Sequence, residues 1–282
     1  MTAIVRDIPN RGRIGNVAAY GLRAVAVGYV GLLVVLPLLA VVAAAGRLPL
    51  PQLWRHLTAP EALHALALTV VAALLVAGLS LVTGTAIAYV LVRYRFPGKS
   101  LLNSLIDLPF AIPTVVTGLM LVVLYGPQSL LGGFLGAHGV QVMYARPGIV
   151  LALLFVTFPF VVRAVQPVLQ EMDLETEEAA QTLGAGGWLI FRRITLPTIA
   201  PALATGVTLT FARALGEFGS IVIVSGNIPL KTQVASVYVY GQVESWQPEA
   251  ATAMSLVLLL ASLVFLAAAD WLQRRRVRRH GC

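Results

Sequence analysis

The stretch EEAAQTLGAGGWLIFRRITLP, residues 177–197, is a polar island between long apolar runs, acidic at its start, small in its middle and basic near its end. Asp173 stands ahead of it where a helix N-cap belongs, and Glu175, Glu177 and Glu178 fall in the turns that follow. There the helix dipole favours negative charge. Ala179, Ala180 and Leu183 share one face by their spacing of one and four. Gly184 and Gly186-Gly187 end the helix and turn the chain. WLIFRRI reads as a second short amphipathic piece, and Leu196-Pro197 leads into the next apolar run. A short helix, a glycine turn and a second helix over 173–197, with small residues outward, suit close approach by a partner surface. An ordinary solvated loop is the plainer alternative.

The rest of the chain explains where such an island sits. Of 282 residues, 58% are hydrophobic and only 11% charged, with a mean hydropathy of +0.85. Soluble domains carry roughly 25% charged residues, so this chain has too little polar surface to coat a globule in water. Its composition is that of an integral membrane protein. The net charge of +8 is spread over the two ends and short connections, a pattern of topology anchors rather than of nucleic-acid binding. A lone cysteine, Cys282, excludes an internal disulfide. His56, His64, His138 and His280 are too far apart in sequence for a local metal site, and no metal is expected.

Six stretches meet the roughly 20 apolar residues a membrane helix requires: Ala24–Ala45, Leu63–Val92, Leu101–Tyr125, Pro147–Val165, Ile199–Val224 and Ala250–Trp271. The first is too long for a signal-peptide core and reads as a retained helix. The expected organisation is an all-α, six-helix polytopic bundle: an N-terminal segment (1–23), a first helix (24–45), a five-helix core (63–271) and a basic tail (272–282). Fifteen Lys and Arg residues fall on the side of the two termini and the 173–197 insert, and four on the other. The positive-inside rule therefore puts both termini and the insert in the cytoplasm. Within the third span, Pro109 and Pro113 predict a kink or break. Asp107, just before it, reads as a cap in the headgroup zone or facing the bundle.

Glu178-Ala179-Ala180, then Gly184, then Ile194-Thr195-Leu196-Pro197, match the EAA loop that marks membrane subunits of bacterial ABC importers. The resemblance implies a type I importer permease fold in the bacterial inner membrane. It also implies an insert seated as a coupling helix in a cytoplasmic ATPase dimer, with Glu178, Ala179, Ala180 and Gly184 at the contact. Leu183, Ile194, Leu196 and Pro197 belong to the same coupling element. ATP and Mg would be bound by that ATPase and no cofactor by this chain: Gly98-Lys99-Ser100 imitates a phosphate loop, but Arg93 stands where its first glycine belongs. LVRYRFPGKSLLNSLIDLPFAIPTVVTGL, FVVRAVQPVLQEMDLETEEAAQTLGA and FARALGEFGSIVIVSGNIPLKT further resemble the T-type permeases of sulfate/thiosulfate importers, and molybdate permeases share part of the pattern. This implies a W-type second permease and an external sulfate-binding protein as partners.

In the fifth span Ala202, Gly206, Thr210 and Ala214 form a stripe of small residues suited to close helix packing. Arg213 and Glu217 lie one turn apart on a neighbouring face, as a structural ion pair or as an oxyanion guide with its gate. An intramembrane enzyme and a secondary transporter are the other classes. Neither an H-E-x-x-H motif nor paired broken-helix halves stand in the sequence.

Overall fold

The computed structural model describes residues 14–280, so Arg6, Arg11, Arg13 and Cys282 lie outside the described residues. The chain divides at Leu50/Pro51 into two units. The first contains α1 (Ile14–Val30), a π-helical turn (Gly31–Val35) and α2 (Leu36–Gly46), of which Tyr20–Gly46 is long and apolar enough to cross a membrane. The helix α3 (Leu50–Leu57) follows at the boundary.

The second unit continues with α4 (Pro60–Arg93), α5 (Lys99–Ala111), α6 (Thr114–Tyr125), α7 (Leu130–Ala137) and α8 (Arg146–Glu171). Then come α9 (Leu174–Thr182), α10 (Gly187–Ile190), a second π-helical turn (Phe191–Thr195), α11 (Leu196–Leu215), α12 (Gly219–Val224), α13 (Ala235–Glu244) and α14 (Pro248–His280). No strand occurs among the described residues. Among the described residues, five helical stretches qualify as membrane spans, or six with α5 and α6 taken as one bent span. The protein is an all-α, multi-pass membrane protein.

The centre of the second unit is the mutual packing of α4, α8 and α11. Val161 of α8 is fully buried between two glycines: a Cβ at Gly84 of α4 would lie 2.8 Å from Val161 Cβ, and one at Gly206 of α11 2.8 Å from Val161 Cα. Helices in lipid gain most from such close contact of small residues. The stripe read from the sequence is this seam: Gly206, Thr210 and Ala214 are buried and Ala202 half-buried.

Three expectations need correction. The third span breaks at Pro113, where the chain turns by 113° between α5 and α6, but Pro109 lies inside α5 and does not end it. Pro113 lacks an N–H and holds Ile112 extended (φ −84°, ψ 130°), so no helical hydrogen-bond ladder crosses the junction. The fifth span does not run from Ile199 to Val224 as one rod; it stops at Leu215 and restarts at Gly219. In the gap the Glu217 carboxylate accepts the Ser220 N–H and hydroxyl, both at 2.9 Å, replacing helical partners. WLIFRRI is not a separate piece either, since α10, the π turn and α11 form one continuous helix, Gly187–Leu215.

Asp107 is not a cap. Both its oxygens are held by Arg163 of α8, at 2.6 Å from Nε and 2.7 Å from Nη2. The remaining Arg163 donors reach the Asn103 side chain (2.9 Å), the Asn103 carbonyl (2.7 Å) and Gln166 (2.6 Å). All five guanidinium donors are thus spent, four of them on fastening α5 to α8 and one on Gln166 of α8 itself. Arg163→Met is expected to loosen α5 by about 2 kcal/mol, less than four bonds suggest because the Asp107 side chain is 52% exposed and water recovers part. The check is hydrogen exchange in detergent, where protection should fall across 99–111 and hold in α4.

Candidate functional site

The 173–197 segment is built as its residues dictate. Asp173 caps α9 by accepting the Glu175 N–H at 3.0 Å. The helix ends in a glycine turn: Gly184, at φ +85°, donates to the Gln181 carbonyl (2.9 Å), and Ala185 donates to that of Ala180 (3.0 Å). This is a Schellman closure, which needs a left-handed residue at that position. Nothing lies within 4 Å of a Cβ placed on Gly184, so the backbone angle, not space within the chain, selects glycine.

The segment presents an apolar surface to its surroundings. Leu183 is 89% exposed and Trp188 74%, with Glu178, Ala179 and Gly184 also exposed and Ala180 half-buried. Large apolar side chains displayed beside small ones, on a polar segment that leads into the Gly187–Leu215 helix, mark a contact surface. The later residues of the motif behave differently. Leu196 is half-buried and packs against the cluster of Leu91, Leu169 and Ile199. Ile194 is half-buried in the π turn, whereas Pro197, the second residue of α11, is exposed. Ile194 and Leu196 therefore root the segment in α11, whereas Glu178, Ala179, Leu183 and Gly184 form its open face.

Sequence reasoning missed one part. Glu177 was assigned only to the acidic first turn, yet it is buried. Its Oε1 accepts from Arg93 Nη2 at 2.9 Å and from the Thr195 hydroxyl at 2.7 Å. Arg93 is the last residue of α4. Beside this node Trp188 stacks on Phe191 (centroids 5.7 Å apart), and Phe191 meets Tyr89 of α4 edge-on, also at 5.7 Å. A local clue existed: a second glutamate in the first turn of α9, next to the motif's own Glu178. Its partner lies 84 positions away.

Arg213 and Glu217 do form an ion pair, Nη1 to Oε2 at 2.7 Å. The two side chains differ sharply in exposure, 37% for Arg213 and 1% for Glu217. The carboxylate is fixed, with its second oxygen on Ser220. The guanidinium is partly open.

These features, a membrane bundle carrying a capped, outward-facing helical turn, define a transport-subunit class, and comparison gives the family. Residues 80–279 match the family model of the binding-protein-dependent transport system inner membrane component, and the chain belongs to that family. It is 43% identical to the sulfate transport system permease protein CysT of Salmonella typhimurium, covering 89% of this chain and 91% of that one. It is also 49% identical to a probable sulfate transport system permease protein cysT of Nephroselmis olivacea, over 77% and 76% of the two chains. Among solved structures, a bacterial ABC transporter importing the acidic polysaccharide alginate shares the fold, with a TM-score of 0.74, 19% identity and coverage of 93% and 96%. The MetNI methionine ABC transporter does so at a TM-score of 0.58, 17% identity and coverage of 81% and 99%.

Proposed function

We propose that the chain is the permease subunit of an ABC importer in the bacterial inner membrane and passes sulfate or thiosulfate inward. The observation that carries this reading is the coupling turn: a Schellman-closed helix with Leu183 and Trp188 bare, in a chain more than 40% identical to CysT permeases. No ATP site is expected in the chain, so ATP and Mg act on a separate cytoplasmic ATPase dimer docked against Glu178, Ala179, Ala180, Leu183 and Gly184. Both termini face the cytoplasm with that turn. An external sulfate-binding protein delivers the anion, and a W-type permease completes the membrane pathway. This subunit carries out no covalent chemistry. It alternates access as the ATPases close and reopen.

The test is reconstitution with all partners in proteoliposomes, measuring ATP-dependent uptake of labelled sulfate. Competition by thiosulfate and not by molybdate is the expected result; uptake without ATP, or molybdate displacing sulfate, overturns it. The turn has its own prediction. Gly184→Trp is expected to insert normally and abolish ATPase pull-down, because the indole stands on the open face and the αL angle adds roughly 1–2 kcal/mol of strain. Gly184→Asn, which tolerates that angle, is expected to keep most of the uptake.

A further inference from the structure

We propose that the Glu177 carboxylate is the joint through which the coupling turn moves α4 and α11 as one body. The proposal rests on the ABC-importer reading above and assigns a positioning role within it. Docking holds α9 by its open face, but transmission requires a stiff link from α9 back to the membrane helices. Among the described residues, the only side-chain hydrogen bonds joining α9 to other elements are those of Glu177. One carboxylate oxygen grips the last residue of the 34-residue α4 and the last residue of the π turn that opens α11. Those two helices also clasp α8 through Gly84 and Gly206. A displacement of α9 must therefore break this node or carry α4 and α11 with it.

The node is built unlike a permanent rivet. Arg163 spends all five donors, whereas Arg93 meets Glu177 through a single nitrogen. The buried Arg93 Nε–H has no acceptor among the described residues. A donor left over in a buried site disfavours this arrangement and leaves a hydrogen bond to be made in another one. The aromatic series Trp188, Phe191 and Tyr89 runs alongside, so the docking face and the end of α4 are linked by stacking as well as by charge. A joint with one strong bond and one spare donor suits an element that has two arrangements.

The experiment separates coupling from folding. In the double variant Glu177→Leu with Arg93→Leu, both charges leave together, so no buried ion is stranded and the bundle keeps its packing. Complexes with the ATPase, second permease and binding protein are compared for pull-down, melting temperature, binding-protein-stimulated ATP hydrolysis and sulfate uptake. The expected result is normal pull-down and melting, with stimulation and uptake each down about tenfold or more. Native stimulation and uptake in the double variant overturn the joint, since a purely structural pair is then sufficient. Should the double variant fail to assemble, Thr195→Val decides: it removes one buried hydroxyl and no charge. Stimulation lowered about threefold or more in the assembled complex supports the joint, and unchanged stimulation overturns it. If the unaltered chain shows neither ATPase pull-down nor ATP-driven uptake, the importer reading itself has failed, an outcome distinct from both.

Discussion

Gly206→Val is expected to leave almost no assembled transporter. A Cβ at residue 206 already falls 2.8 Å from Val161 Cα, 3.1 Å from Ala164 Cβ and 3.3 Å from the Phe160 carbonyl, two of them backbone atoms of α8. No rotamer change relieves a contact with backbone, so α11 must move away from α8. Gly84 of α4 presses on the same Val161 from its own side, so α8 has no room to yield in that direction. Overpacking typically costs about 1–3 kcal/mol, and occasionally more, where side chains can rearrange; here the upper end is expected, because the clash is with backbone. The measurement is thermal melting of the purified subunit together with recovery of the complex on an affinity column. Gly78→Ala on α4 serves as the control: nothing stands within 4 Å of its added Cβ, and it should melt and assemble as the unaltered chain does.

The contrast between those two glycines shows what a single sequence makes legible. Small residues at a spacing of four announce a packing seam, so the face containing Gly206 could be read. The neighbour it meets, Val161, could not, because nothing local encodes a contact between α8 and α11. The same division runs through the chain. Apolar runs of about 20 residues fix the existence of spans by transfer energy alone. Pro113 announces the break between α5 and α6 through its missing N–H. The size of the accompanying turn, 113°, has no local sign, and the hold of Arg163 on Asp107 and Asn103 reaches across 56 to 60 positions. Hydropathy also carries the fifth span straight through Glu217, since Arg213 and Glu217 among so many apolar neighbours barely lower a window average. Gly216 and Gly219 flanking that charge were the available sign that the helix stops there. The coupling turn was the most legible part, because a cap, a face and a left-handed glycine are all local. Glu177 escaped for the opposite reason: its partners are the end of α4 and the start of α11.

Arg213→Gln is expected to lower sulfate uptake about tenfold or more while pull-down of the ATPase remains. We propose two tasks for Arg213. It neutralises Glu217, whose side chain is 1% exposed, and it keeps a partly open guanidinium whose bond to Glu217 is made through Nη1. Removing the arginine strands a buried carboxylate. Breaking a fully buried pair costs about 3–5 kcal/mol, and the 37% exposure of Arg213 brings the expected loss nearer ~2 kcal/mol. Melting alone therefore cannot separate the tasks, but a second substitution can. In Arg213→Gln with Glu217→Gln no charge is stranded, and the amide oxygen at 217 still accepts from Ser220. A merely neutralising arginine predicts that this double variant recovers uptake along with stability. An arginine that also meets the passing oxyanion predicts recovered melting and uptake still down about tenfold, because the planar donor fork matched to a tetrahedral dianion is gone. The second outcome is the expected one. Arg213→Lys sharpens it: the positive charge persists without the fork, so uptake should fall between the unaltered chain and the double variant. Equal uptake by the double variant and the unaltered chain would return Arg213 to a purely structural role.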